Sequence, residues 1–118
     1  MLSKLAVLYH YQQKFETAEK LYKRALEISE KTSGKQHPEV ASVLHNLASL
    51  YHDQERYPEA ERLYKRSLAI VEKVFGPNHP KVARRLSSLA DLYRADGRDT
   101  EAAPLRKRLK TLEKTVRT

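Results

Sequence analysis

The five histidines are the residues whose chemistry would matter most in this sequence, since an imidazole can hold a metal ion or move a proton near neutral pH. Their spacing argues against both. His37 and His79 recur in two matching segments, Gly34-Lys35-Gln36-His37-Pro38 and Gly76-Pro77-Asn78-His79-Pro80. Directly before a proline that suits a first helical turn, these imidazoles are expected to cap a helix rather than ligate a metal. His45 and His52 share a helix face but stand two turns apart, about 10 Å along the axis. A Zn–N bond is only about 2 Å long, so they do not reach one ion. His10 and His52 occupy equivalent positions and are expected as neighbours lining a groove. The sequence has no HExxH motif, no glycine-rich phosphate loop and no activated serine or cysteine arrangement. The carboxylates Asp53, Glu59 and Glu61 stand close to Lys or Arg in helix-surface contexts. An enzyme, a metal and a cofactor are therefore not expected, and the chemistry left is recognition.

The elements that would position these residues follow from an internal repeat. Leu5-Ala6-x-x-Tyr9, Leu47-Ala48-x-x-Tyr51 and Leu89-Ala90-x-x-Tyr93 recur at a spacing of 42 residues. Aligned at that offset, residues 5–41 and 47–83 are identical at more than half of their positions. Each unit reads as two helices. Gly34 and Gly76 stand where a helix should end in a left-handed residue. Pro38 and Pro80 open the next helix, where a missing N–H costs nothing. An A helix is predicted from about Pro38 to about Gln54, with Val40, Val43, Leu44, Leu47, Ala48 and Tyr51 at the i, i+3, i+4, i+7 spacing of one apolar face. After a short polar turn, Pro58 opens a B helix that runs to about Phe75. Small residues at Ala48 and Ala60 let the paired helices approach, and Tyr51 and Tyr64 fill the space around them.

One helix pair cannot bury its own apolar face, so stacking of about three units is needed for stability, and three are present. The fold expected is all-α, a right-handed α-solenoid of three antiparallel helix pairs, six helices in all. It forms a single domain over residues 1–118 with units of about 1–36, 37–78 and 79–118. The 118 residues suffice for one small core. Without cysteine there is no disulfide framework and no thiolate metal site. Charges interrupt every apolar stretch, which excludes a membrane span, and Lys4, His10 and Lys14 break the N-terminal apolar region that a secretory signal would need. A cytoplasmic protein is expected.

The motif Leu47-Ala48-x-x-Tyr51, Tyr57, Ala60, Tyr64 resembles a tetratricopeptide repeat. The run Ala60-Glu61-x-Leu63-Tyr64-Lys65-Arg66-Ser67-Leu68, with Glu72-Lys73 and Gly76-x-x-His79-Pro80-x-Val82-Ala83, resembles the kinesin light chain subtype, whose period is longer than the usual 34 residues. The resemblance covers nearly the whole chain. It implies a non-enzymatic module that recognises short cargo peptides, often acidic around an aromatic, in a groove. Asn46 matches an asparagine that the family carries before its Leu-Ala pair; Lys4 and Ser88 stand there in the flanking units. The chaperone-clamping class of these repeats is matched only at Asn46 and Arg84, so chaperone binding is not expected.

In such a stack the A helices line the concave side, and positions one step off the core stripe face the groove. Unit 1 offers Ser3, Lys4, Val7, His10 and Tyr11. Unit 2 offers Ser42, His45, Asn46, Ser49 and His52. Unit 3 offers Arg84, Ser87, Ser88, Asp91 and Arg94. This lining is polar and net basic, which favours an acidic peptide. Arg84 could fork onto a carboxylate and Asn46 could clamp a peptide backbone.

The ends differ from the middle. The last helix keeps an apolar stripe of Leu105, Leu109, Leu112 and Val116, and its other faces carry Arg106, Lys107, Arg108, Lys110, Lys114 and Arg117, as a terminal cap requires. Pro104 is expected to delay or bend it. Helix A of unit 1 begins only at Met1 or Leu2 and would show apolar residues to water. Either the chain is a piece of a longer array, or this end docks on another copy, which gives the alternative function of a structural unit that self-assembles through the uncapped N-terminal end. The net charge of +8 is concentrated in residues 81–118. The capping helix has no aromatic residues to stack bases, so nucleic-acid binding is not expected.

Overall fold

The computed structural model describes residues 2–117, with side chains through Lys114. Among these residues there are six helices: α1 (Leu2–Tyr11), α2 (Phe15–Ser33), α3 (Pro38–Asp53), α4 (Tyr57–Phe75), α5 (Pro80–Ala95) and α6 (Asp99–Arg117). Each helix packs on its neighbours in sequence, and α1 also reaches α3. The result is the right-handed α-solenoid of three antiparallel pairs, α1/α2, α3/α4 and α5/α6, that the repeat requires. No helix among the described residues is long and apolar enough to cross a membrane. The expected helix start at Met1 and the side chains of Val116 and Arg117 lie outside the described residues.

The caps explain the helix boundaries. His37 and His79 are N-cap residues whose Nδ1 atoms accept the backbone N–H of Glu39 at 3.0 Å and of Lys81 at 3.1 Å. Pro38 and Pro80 follow at the first helical position. Each A helix ends in a Schellman turn. The N–H of Lys14, Arg56 and Arg98 bonds the carbonyl of Tyr9, Tyr51 and Tyr93 at 2.9, 2.9 and 2.7 Å. The residue that takes the left-handed conformation is Gln13 (φ 61°), Glu55 (φ 60°) or Gly97 (φ 76°). Gly34 and Gly76 do not take it, contrary to the sequence expectation. Their φ and ψ are 90° and 156°, and 91° and 159°. That extended, positive-φ region is open essentially only to glycine. It carries the chain out of the B helix and toward the next N-cap.

Six alanines, Ala6, Ala18, Ala48, Ala60, Ala90 and Ala102, are buried where each A helix meets its B helix. Leu44, Leu50, Ile70, Leu86 and Leu92 fill the core between pairs. On α6, Leu112 is buried and Leu105 and Leu109 pack against the same core. The helix begins at Asp99 despite Pro104, so the expected late start does not occur. The missing N–H of Pro104 leaves only the carbonyl of Thr100 without its intrahelical bond, and Thr100 is exposed to water.

Candidate functional site

The A helices stand side by side, and two cavities open between them. The first, about 510 Å³, lies between α1, the start of α2 and α3 and is lined by Val7, His10, Tyr11, Gln13, Phe15, Tyr22, Asn46, Ser49 and Asp53. The second, about 290 Å³, is lined by Pro38, Ser42, His45 and Asn46 of α3, Val71 and Phe75 of α4, and Lys81, Arg84 and Arg85 of α5. Asn46 borders both.

The electrostatics of the two differ. In the second cavity Lys81, Arg84 and Arg85 face an opening with no carboxylate in its lining. Arg85 is 7% exposed. Its Nε donates to Ser67 Oγ at 3.3 Å, and Ser67 in turn donates to the Ala41 carbonyl at 2.7 Å. Among the described residues no carboxylate pairs with it. Burial and the neighbouring Arg84 press its pKa down, yet a guanidinium stays charged in proteins. Beside it, burial and the charges of Arg85 and Arg84 push the His45 imidazole down to about 4, so His45 is neutral at pH 7. Its Nε2 lies 2.8 Å from Ser88 Oγ and its ring 5.4 Å from that of Tyr64. In the first cavity the His10 Nε2 and Asp53 Oδ2 are 2.6 Å apart. Burial holds the Tyr22 hydroxyl up at about 12, with Tyr11 and Asp53 adding to it. The first cavity is thus an aromatic hollow with an acid at its rim, and the second a cationic one.

The residues expected to line a groove fall into three groups. His10, Tyr11, Asn46 and Ser49 line the first cavity, and His45, Asn46 and Arg84 the second. Ser88 touches the second through His45, and its hydroxyl donates to the Arg84 carbonyl at 3.3 Å. Lys4, His52, Asp91 and Arg94 line neither. Lys4, Asp91 and Arg94 are exposed, and the His52 ring is turned edge-on to Tyr57 and Tyr64 at 5.8 and 6.4 Å. The partner of His10 is Asp53 rather than His52, because Asp53 ends α3 where the end of α1 crosses it. Among the described residues no group of three or more His, Asp or Glu side chains could hold a metal ion.

Sequence reasoning passed over Arg85, and a signal was there. Arg85 occupies the position of Val43, a buried core residue one period earlier. A cation on an otherwise apolar stripe marks a place where charge is kept on purpose or excused by an opening.

A sequence profile described as tetratricopeptide repeat matches residues 1–73 and again 40–109. The crystal structure of BtubC (BKLC) from P. vanneervenii superposes with a TM-score of 0.91 at 28% identity, over 98% of this chain and 46% of that one. A putative kinesin light chain with nearly identical TPR-like repeats from Podosopora anserina superposes with a TM-score of 0.83 at 28% identity, over 99% of this chain and 56% of that one. The chain spans about half the length of the solved structures it matches. None of the curated proteins matches it.

Proposed function

The chain belongs to the tetratricopeptide repeat family, with kinesin light chain-like repeats, and from that premise we propose that it holds an acidic peptide segment along its A helices. Tetratricopeptide repeats generally mediate protein–protein interaction, and the fold is typically a non-enzymatic scaffold. The finer reading rests on one observation. Arg85 is buried, has no carboxylate partner among the described residues, and borders a cavity with Lys81 and Arg84. A buried charge is costly unless it is paired, so the cavity favours an anionic guest. A peptide carboxylate supplies the charge, Asn46 can give and take one backbone hydrogen bond, and the aromatic hollow beyond it takes an apolar side chain.

The test uses a fluorescein-labelled pool of short peptides rich in Asp and Glu, and the same pool with Asn and Gln in their place. Fluorescence anisotropy should show capture of the acidic pool alone at physiological salt. Arg84→Ala, Asn46→Ala and Arg85→Met should each weaken capture by about tenfold or more, roughly 1.4 kcal/mol. Equal binding of both pools, or wild-type binding by Arg84→Ala and Asn46→Ala, would remove this reading.

A further inference from the structure

The repeat does not require the cations of the second cavity. Lys81, Arg84 and Arg85 stand at i, i+3 and i+4 on α5, so a single turn of helix brings all three to one opening. One period earlier the same positions of α3 carry Glu39, Ser42 and Val43, and Val43 is simply buried in the apolar core. One acid has given way to three bases at matching places in the fold.

Arg85 is also built in. Ser67 is fully buried and its oxygen accepts the Arg85 Nε–H at 3.3 Å. Ser67 gives its own proton to the Ala41 carbonyl at 2.7 Å, which turns its lone pairs toward the guanidinium. The preceding pair has Ala25 where Ser67 stands and Val43 where Arg85 stands, so the hydroxyl and the cation enter together. With Nε held in this way, the two terminal nitrogens of Arg85 bond no protein acceptor among the described residues, and the side chain lines the cavity. Neither Lys81 nor Arg84 pairs with a carboxylate there, and the Lys81 ammonium lies over the Phe75 ring at 4.4 Å.

The lining therefore presents three positive charges and no negative one. A carboxylate offsets one of them with two oxygens. A phosphate monoester carries about −1.5 to −2 at pH 7 and offers three terminal oxygens, which suits two guanidinium forks and an ammonium. Pro38, Val71 and Phe75 supply an apolar wall for the carbon stem that carries such a group. The phosphodiester of a nucleic acid has a single charge and must run on at both sides, whereas a monoester ends in the cavity. Building on the groove as a peptide site, we propose that the second cavity takes the phosphoryl group of a phosphorylated residue, so that phosphorylation of the partner strengthens its capture.

Four fluorescein-labelled pools of short peptides test this. They share random flanks and differ at one central residue: phosphoserine, phosphotyrosine, glutamate or glutamine. Anisotropy at physiological salt should place at least one phosphorylated pool about tenfold or more above the glutamate pool. Arg84→Ala should bring that ratio to within about twofold of unity, as should Ser67→Ala with Arg85→Val, which copies the Ala25 and Val43 of the preceding pair and so keeps a packing this fold already holds. Lys107→Ala and Lys110→Ala, exposed cations of α6 outside the cavity, should leave the ratio unchanged. Capture of the phosphorylated pools alone bears the proposal out and removes the carboxylate as guest. Equal capture of the glutamate and phosphorylated pools overturns it and leaves the acidic-peptide reading in place; capture of no pool removes both. A preference that survives Arg84→Ala and the double variant overturns it too, because the phosphoryl group then sits elsewhere. So does displacement of the labelled phosphopeptides by mixed-sequence single-stranded DNA, or by vesicles containing a phosphoinositide, as effective as displacement by unlabelled phosphopeptide.

Discussion

His45 is held between Ser88 and the ring of Tyr64 with two guanidinium groups nearby, and its titration should be visible in the stability of the whole chain. Its ordinary pKa of 6.5 is depressed to about 4 in the fold, first by burial and then by Arg85 and Arg84. Between those two values the unfolded chain binds a proton that the folded chain refuses. Stability therefore falls as pH drops from 6.5 to 4, and this group has no effect above that window. The loss is on the order of 2–3 kcal/mol. Glu61 acts in a lower window. Burial would raise its pKa, but hydrogen bonds from Arg98, Lys65 and Tyr93 outweigh that and hold it at about 2 against an ordinary 4.5. Its contribution is present above 4.5 and lost as pH falls toward 2. Urea unfolding across this range should show both limbs, and His45→Gln should flatten the upper one while leaving the lower. Equal losses in wild type and His45→Gln between pH 6.5 and 4 would show that the imbalance lies elsewhere. At this scale the sequence revealed that His45 and Asn46 sit off the core stripe. It did not reveal the partner of His45, because Ser88 comes from another helix, 43 residues on.

A helix pair in this chain is joined to the next by apolar packing and by the tyrosine–glutamate–arginine clamp. The arginines also lie over the tyrosine rings, at 4.4 Å for Arg56 on Tyr51 and 4.6 Å for Arg98 on Tyr93. The ring is thus held by its face and by its hydroxyl, which fixes the angle at which α3 meets α2 and α5 meets α4. Tyr51→Phe and Glu19→Gln, alone and together, should give a coupling free energy of about 0.5–1.5 kcal/mol in denaturant unfolding. Strict additivity of the two would mean that the hydrogen bond contributes nothing to the joint. Leu50→Ala, by contrast, opens a cavity between the pairs and should cost about 2–5 kcal/mol. Helix extents at this scale were close to legible, because Pro38, Pro80 and the glycines punctuate them. Two left-handed residues were not. Gln13 and Glu55 adopt φ near 60° without being glycine, since the Schellman bonds at the end of each A helix impose that conformation from outside the residue.

Across the whole molecule the pairs touch only their neighbours, so stability is close to a sum of unit and joint terms. The middle pair has two joints and each end pair has one. Native-state amide hydrogen exchange should therefore be slowest in α3 and α4, faster in α5 and α6, and fastest in α1, which spans 10 residues against 16 for α3 and α5. Uniform protection across all six helices would mean that the stack opens as one unit.

The repeat at 42 residues determined the architecture by itself, since an apolar stripe that recurs on paired helices has to be buried by the next copy. Composition settled that no disulfide or thiolate site exists, and the loop histidines were legible as caps because Pro38 and Pro80 follow them. Only the tertiary structure decided which cations are spent and which are left. Arg56, Arg66, Arg98 and Arg108 look no different in sequence from Arg24 or Arg84, yet each finds a glutamate on the adjoining pair. A charge is neutralised by what lies across the joint from it, 36 or 37 residues away along the chain. That distance closes only when the helices stack, so the unspent charges, and with them the candidate sites, could be read only in three dimensions.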